Sequence, residues 1–363
     1  MASAADYIEV DFLAVETAKS GDAIAIRYTW NGHTYIHVVD GGFLDMGETI
    51  KEHLEQYYAT QDYIDHVVLT HPDSDHANGL RHVLENCDVR NLWMNRPWLY
   101  ADELLPRFAN FTNADNLRAR LRQCYPTVVE LESIANRRGI PINEVFQGAA
   151  IGAFIVMAPS RARFLDLVVD SERTPEAAPE EEDRAESLLE QVFRVAKAAV
   201  AYIRAAWGEE VFSPNPTSRE NEMSVVQFAN FKGTTFLLTG DAGREALTEV
   251  INYAPNVSLG LPGIDRFQVP HHGSRRNVST EVLDALLGPR LSGPTADYKF
   301  SAVISSAKAD ADHPRKTVVR AMHHRGGFVA ATEGVSICSG VDAPGRAGWS
   351  PAQGLPYYEE QEE

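Results

Sequence analysis

The first forty residues alternate apolar and polar side chains in three short runs, 7–12, 23–28 and 34–39, separated by Ser20-Gly21-Asp22 and Asn31-Gly32-His33. Period-two alternation broken by turn residues predicts an antiparallel meander. Asp40-Gly41-Gly42 ends it, and residues 49–59, with Ile50, Leu54 and Tyr57 or Tyr58 on one side, predict a helix. The apolar run His66-Val67-Val68-Leu69 predicts a strand, followed by a polar loop and a helix over 77–84. A second stretch of the same texture begins after Glu222, with strands at 224–231 and 235–239 around the turn Lys232-Gly233 and a helix at 243–252. Strand 266–269, helix 280–287, strand 300–305, helix 316–323 and a last strand pair at 327–330 and 335–338 complete it. There is no internal repeat by motif, yet each half runs from a strand meander into β/α units. That layout predicts an α/β fold, an αββα sandwich of two sheets with helices outside.

Between residues 98 and 216 the character changes. Helical patterns at 117–138 and 185–206 surround the longest apolar run, 149–159, which reads as a core strand centred on 151–157. The Pro- and Glu-rich stretch 171–183 predicts a solvated or disordered loop, with an acidic recognition arm for a basic partner as the alternative. The organisation expected is one domain over 1–363, carrying 98–216 as a helical, acidic elaboration.

Composition narrows the classes. With 44% hydrophobic and 23% charged residues, the chain reads as a soluble globular protein, and no apolar run approaches the roughly 20 residues a membrane helix needs. The start, Met1-Ala2-Ser3-Ala4-Ala5-Asp6-Tyr7, shows no basic-then-apolar signal, so a cytoplasmic location is expected. Cys87, Cys124 and Cys338 are far apart, which argues against a disulfide framework and a thiolate zinc site. The net charge of −18 speaks against a nucleic-acid binder, but residues 170–190 and the tail 359–363 together carry eleven of those charges, which softens the objection.

The densest chemistry is the loop His71-Pro72-Asp73-Ser74-Asp75-His76 at a strand end. Two imidazoles and two carboxylates within six residues would repel or stay unpaired unless a cation held them. Three further strand ends carry matching residue types. Thr239-Gly240-Asp241-Ala242-Gly243 offers a carboxylate between glycines, although Asp241 also suits a helix N-cap. In Pro270-His271-His272-Gly273-Ser274 adjacent histidines cannot share a face of regular structure, so one ligates and the other supports it or meets substrate; His271 is the favoured ligand. Asp310-Ala311-Asp312-His313-Pro314 adds His313. About seven candidates of mixed His and Asp type point to two divalent metal ions bridged by a carboxylate such as Asp241, with a metal-bound hydroxide as nucleophile. Carboxylate-rich ligation tilts the choice from zinc toward manganese.

These motifs resemble the metallo-β-lactamase superfamily loop His-x-His-x-Asp-His, with Asp73 in place of the second histidine. That variant, with Thr239-Gly240-Asp241 and Val269-Pro270-His271-His272-Gly273-Ser274, is most similar to the metallo-hydrolase domain of ComEC-type DNA-uptake proteins. Ser20-Gly21-Asp22-Ala23-Ile24, Val39-Asp40-Gly41-Gly42, Asn221 with Ser224-Val225-Val226, and His313-Pro314 extend the likeness nearly end to end. The resemblance implies phosphodiester hydrolysis, with His71, Asp73, Asp75, His76, Asp241 and His271 as metal ligands and His272 and His313 near the substrate. The leading expectation is a nuclease acting on DNA, with Asp75 orienting or accepting a proton, His272 or His313 protonating the leaving oxygen, and Ser274, Arg275 and Arg276 gripping phosphate. A cyclic-nucleotide phosphodiesterase is the second reading, favoured by the acidic surface. A partner-binding module, docking through 98–216 around a mainly structural metal, is the third. No membrane partner is expected.

Overall fold

The computed structural model describes residues 6–59, 63–174 and 202–363. Two seven-stranded mixed sheets face each other. The first runs Ile337–Val341, Tyr7–Phe12, Ala23–Trp30, His33–Gly41, His66–Val68, Leu92–Trp93, Ile142–Asn143, antiparallel up to His33–Gly41 and parallel beyond it. The second runs Gly327–Ala331, Phe300–Ile304, Arg266–Gln268, Thr234–Leu238, Val226–Phe231, Phe154–Ala158, Ala150–Ile151, parallel across its first four strands and antiparallel in the rest.

Strand periodicity sorts the side chains into layers. Ile8, Val10, Ile24 and Ile26 meet Phe154, Phe236, Leu238 and Val303 between the sheets. The opposite faces are apolar too: Ala25 and Val38 lie under helices Met46–His53, Leu80–Asn86, Ala114–Cys124 and Pro126–Arg138, while Leu237 and Phe267 lie under Arg244–Tyr253, Thr280–Leu287 and Lys316–His324. The architecture is the expected αββα sandwich. Among the described residues no helix is long and apolar enough to cross a membrane.

The segment 98–216 departs from its sequence reading in four places. The helix expected over 117–138 breaks into Ala114–Cys124 and Pro126–Arg138, because Pro126 cannot donate to the preceding turn and starts a new helix at its N-terminus. The core strand expected over 149–159 is a hairpin, Ala150–Ile151 with Phe154–Ala158, turning at Gly152 (φ +58°), where a Cβ would lie 1.8 Å from the Tyr28 hydroxyl. Of the helix expected over 185–206, residues 185–201 lie outside the described residues, and Tyr202–Arg204 is a strand paired with Glu360–Glu362. Of the loop expected over 171–183, Ser171 and Thr174 are buried, and 175–183 lie outside the described residues.

One backbone contact sets the edge of the first sheet. A Cβ on Gly79 would lie 1.9 Å from the Gly41 carbonyl oxygen, and one on Gly41 would lie 2.5 Å from the Leu80 nitrogen. The end of strand His33–Gly41 therefore touches the start of helix Leu80–Asn86, and the Gly79 N–H donates to the Gly42 carbonyl at 3.1 Å. Neither partner is a side chain that can swing aside. Gly79→Ala is expected to cost about 3 kcal/mol, the upper range of overpacking, whereas Gly293→Ala, with nothing within 4 Å, stays within about 0.5 kcal/mol. Urea unfolding of both variants checks this; equal midpoints would mean the contact relaxes.

His37 lies between the sheets with both ring nitrogens buried and without a hydrogen-bond partner, and His66 Nε2 beside it shares that state. Burial pushes the pKa of His37 well below the usual imidazole value, reinforced by His66, and lowers that of His66 as well. Both stay neutral in the folded chain but bind protons in the unfolded chain below about pH 6.5. Their contribution is present above that pH and is lost as pH falls below it, at up to about 1.4 kcal/mol per pH unit for each imidazole. His37→Leu is expected to flatten the dependence of unfolding free energy on pH between about 6.5 and 5 by close to one proton. Denaturant titrations across that range read it, and parallel slopes in variant and wild type would refute it.

Candidate metal centre

The candidate ligands gather where strands of both sheets end. Asp40 closes strand His33–Gly41, the loop from His71 to His76 follows His66–Val68, Asp241 follows Thr234–Leu238, and His271 and His272 follow Arg266–Gln268. Asp22 enters from the loop before Ala23–Trp30, and Asp310 and His313 from the loop after Phe300–Ile304.

The buried carboxylate of Asp241 is the centre. Its Oδ2 lies 3.8 Å from His71 Nε2 and 3.6 Å from His271 Nε2, and His71 Nε2 lies 3.6 Å from Asp73 Oδ2. Its Oδ1 lies 3.2 Å from His76 Nε2 and 4.0 Å from His272 Nε2. Asp75 Oδ2 completes this side, 3.5 Å from His272 Nε2 and 4.0 Å from His76 Nε2. Asp241 thus joins two sides of the cluster: His71 and His271 near its Oδ2, with Asp73 beside His71, and His76 and His272 near its Oδ1, with Asp75 beside both. Most of these separations are too long for hydrogen bonds, and they fit ligand atoms each about 2.1 Å from a common ion.

The unpaired atoms say the same. His71 Nε2, His76 Nε2, His272 Nε2 and Asp241 Oδ1 are buried without a hydrogen-bond partner, His76 and Asp241 being close but misaligned. The other nitrogen of each ring is held. His76 Nδ1 lies 2.7 Å from Asp40 Oδ2, and His71 Nδ1 lies 3.0 Å from Thr70 Oγ1, whose hydroxyl donates to Asp40 Oδ2 at 2.6 Å. His272 Nδ1 donates to the Ser305 carbonyl at 2.8 Å. His271 Nδ1 donates to Asn277 Oδ1 at 2.9 Å, an amide oriented by its own NH2 on the Asp241 carbonyl at 2.7 Å. At His71, His76 and His272 these partners place a proton on Nδ1 and turn Nε2 toward the centre, while His271 Nδ1 also lies 3.0 Å from the Asn221 amide nitrogen.

The charges are unbalanced without a cation. Burial opposes the charged form of His76, but Asp241 and Asp40 outweigh it and hold its pKa well above the usual value. Burial is likewise overcome at His272, which Asp241 and Asp75 push up to about 9. Asp241 is itself held well below the carboxylate range: burial would raise it, and His76, His271 and His272 prevail. Desolvation raises the pKa of Asp22. Protons on imidazoles here fill the place of a metal ion.

The adjacent histidines correct the sequence reading. That reading allowed one ligand because neighbours in regular structure diverge, but His271 (φ 48°) and His272 (φ 54°) are both left-handed, a costly conformation for residues with a Cβ. The double turn brings both rings to Asp241, so His272 sits inside the cluster rather than at a leaving group. Of the residues expected to grip phosphate, Ser274 accepts at Oγ from the Arg276 N–H at 3.3 Å and donates its own N–H to the His271 carbonyl at 2.9 Å, Arg275 donates to the Glu363 carbonyl at 2.9 Å, and Arg276 is exposed. His313 does lie at the opening, its ring centre 5.6 Å from that of His271 and its Nδ1 3.2 Å from Asp310 Oδ2.

Two carboxylates escaped the sequence reading. Asp22, with a ligand atom grouped with those of Asp241 and His272 within 4.8 Å, has Oδ1 unpaired and Oδ2 accepting from Gln268 at 3.0 Å. Asp40 anchors both His76 and Thr70. Both are aspartates beside glycine at strand ends, the same signal that marked Asp241, but they were read as turn residues.

The profile of the metallo-beta-lactamase superfamily matches residues 20–118. ComE operon protein 3 of Bacillus subtilis (strain 168) is 29% identical over 122 residues, and the match spans 33% of this chain and 14% of that protein's length. Among solved structures, a putative metallo-beta-lactamase from Thermotoga maritima is 10% identical with a TM-score of 0.32, covering 69% of this chain and 92% of its own. A CmlA beta-hydroxylase variant is 11% identical with a TM-score of 0.41, covering 93% of this chain and 54% of its own. The chain has the metallo-β-lactamase fold, and residues 20–118, which carry the ligand loop from His71 to His76, match the profile of that superfamily.

Proposed function

We propose that this chain is a metal-dependent phosphodiesterase that hydrolyses nucleic acid, DNA foremost. The observation that carries the reading is the Asp241 carboxylate shared between two His/Asp donor sets, the arrangement that suits a pair of divalent cations. Aspartates 73, 75 and 241 favour a hard ion such as manganese, and the four imidazoles also accommodate zinc. Bound cations there supply Lewis acidity and an activated water at neutral pH.

The chain's own residues do the rest. Asp241, His71, His76, His271 and His272 hold the charge in place. Asp75 is about a quarter exposed, so it faces the opening as well as His272 and is positioned to orient the attacking group or take its proton. His313, with Nδ1 engaged by Asp310, has Nε2 to protonate the departing oxygen. DNA as substrate is supported by the resemblance to ComEC-type proteins. The acidic surface supports a small diester such as a cyclic nucleotide as the second reading.

Metal binding must displace the imidazole protons. Because His272 carries a proton up to about pH 9, metal affinity is expected to rise as pH increases from about 6.5 toward 9. Calorimetry in buffers of different ionisation enthalpy should show about one proton or more released per protein; proton-independent binding would sink this site assignment.

Activity is tested on chelator-stripped protein restored with Mn²⁺, Zn²⁺ or Mg²⁺, using linear, circular and single-stranded DNA, cyclic nucleotides and bis-p-nitrophenyl phosphate. The expected result is metal-restored DNA cleavage that falls at least about 100-fold in Asp75→Ala. Hydrolysis of small diesters with DNA intact would transfer the assignment to a nucleotide phosphodiesterase. No turnover by metal-loaded protein would favour a partner-binding module that docks through 98–216.

A further inference from the structure

We propose that Arg173 is the residue that grips the anionic oxygens of the substrate phosphate, beside the half of the centre formed by His71, Asp73 and His271. The inference rests on the phosphodiesterase reading for its substrate, but on separate residues for its argument.

Helix Arg161–Asp170 ends at Ser171, and the chain then turns toward the ligand loop. Ser171 and Thr174 are both 3% exposed, so Arg173 stands on an anchored turn. Its N–H donates to Ser171 Oγ at 3.0 Å, and that hydroxyl donates to Glu220 Oε1. Glu220, itself buried, lies 3.7 Å from Arg173 Nε. The guanidinium reaches across to Asp73, where Nη2 donates to Oδ1. Among the described residues this is the only Lys or Arg paired with a carboxylate of the ligand cluster.

Two features separate a substrate grip from simple neutralisation of Asp73. First, the pairing uses one nitrogen and one oxygen: Asp73 Oδ2 remains directed at His71, and Arg173 Nη1 has no partner among the described residues. Second, Arg173 is 37% exposed, while His71 and His76 are 0% exposed and Asp241 2%. Asp73, Asp75, His271 and His313 are the partly exposed members of the cluster, and Arg173, paired with one of them, brings a permanent positive charge. A planar fork fixed at its base, with free donors beside the centre, matches two oxygens of a phosphate group. The residue comes from the elaboration, outside the superfamily match at 20–118.

The test uses the full chain, with Arg173→Gln and Arg173→Lys. Three quantities are read: metal affinity by competition with a chelator, affinity of the metal-loaded protein for inorganic phosphate by calorimetry, and KM and kcat on bis-p-nitrophenyl phosphate. For Arg173→Gln, metal affinity should stay within about threefold, while phosphate affinity falls about 10- to 100-fold and KM rises in parallel with kcat little changed. Arg173→Lys, which keeps the charge but not the fork, should lose about tenfold in phosphate affinity, and it decides the matter if the Gln variant does not fold. Unchanged phosphate affinity in the variants, or no phosphate binding by wild type, overturns the proposal. So does loss of metal affinity with phosphate binding intact, which would make Arg173 a positioning residue for Asp73. Phosphate binding that depends on Arg173 in a protein that cleaves no diester would refute the phosphodiesterase reading and leave this one standing.

Discussion

The cost of burying the Asp241 carboxylate governs this molecule. An ionised carboxylate at 2% exposure loses several kcal/mol of hydration unless other charges repay it. Here Asp22 and Asp40 are buried close by and Asp73 and Asp75 stand at the rim, so the acidic groups outnumber anything but imidazolium or metal that could balance them. Every neighbouring feature follows from this. The histidines present Nε2 inward, their Nδ1 atoms are tied to carbonyl, carboxylate, hydroxyl and amide acceptors, and two of them hold protons to unusually high pH. Removal of a single imidazole would leave the carboxylates more repulsive, so the cluster behaves as a unit.

The fold supplies the convergence that such a cluster requires. Strand ends from both sheets meet at one edge, and each contributes ligands from the loop that follows or precedes it. The contact of Gly41 with Gly79 draws Asp40 under the ligand loop, and the left-handed pair His271 and His272 turns two consecutive rings toward one carboxylate. Strain at the histidines is compensated by interactions available only when all the strand ends are in place. Assembly of the sandwich and formation of the site are therefore one event, driven by the apolar layers on each side of both sheets.

The sandwich itself was legible because its strands obey period two and its helices are bounded by recognisable turns. The ligand loop was legible for a chemical reason: four donors in six residues have no other economical use. What the sequence hid was long-range. Asp22 and Asp40 are ordinary turn residues until the fold sets them against Asp241 and His76, and periodicity cannot reveal two successive left-handed residues at 271 and 272. Pro126 and Gly152 were visible breaks within longer patterns, and giving them their full local weight would have divided the helix and the strand correctly. Arg173 lay inside a stretch whose composition suggests solvation, yet its anchoring depends on Glu220, which is distant in sequence.

The placement of charge also changes what the net value of −18 means. Glu362, counted among the acidic tail, is 1% exposed and accepts from the N–H groups of Lys316 and Thr317 at the start of helix Lys316–His324. There it offsets the unpaired donors and positive end of the helix instead of contributing to a surface field. Glu9 and Asp11 are buried against Arg346 and likewise contribute little outside. The potential that a phosphate ester meets is set locally at the centre, where Arg173 pairs with Asp73. An acidic chain can therefore present a locally favourable site to an anion, and the objection from net charge applies to a long nucleic-acid footprint rather than to recognition of the single phosphate that reacts.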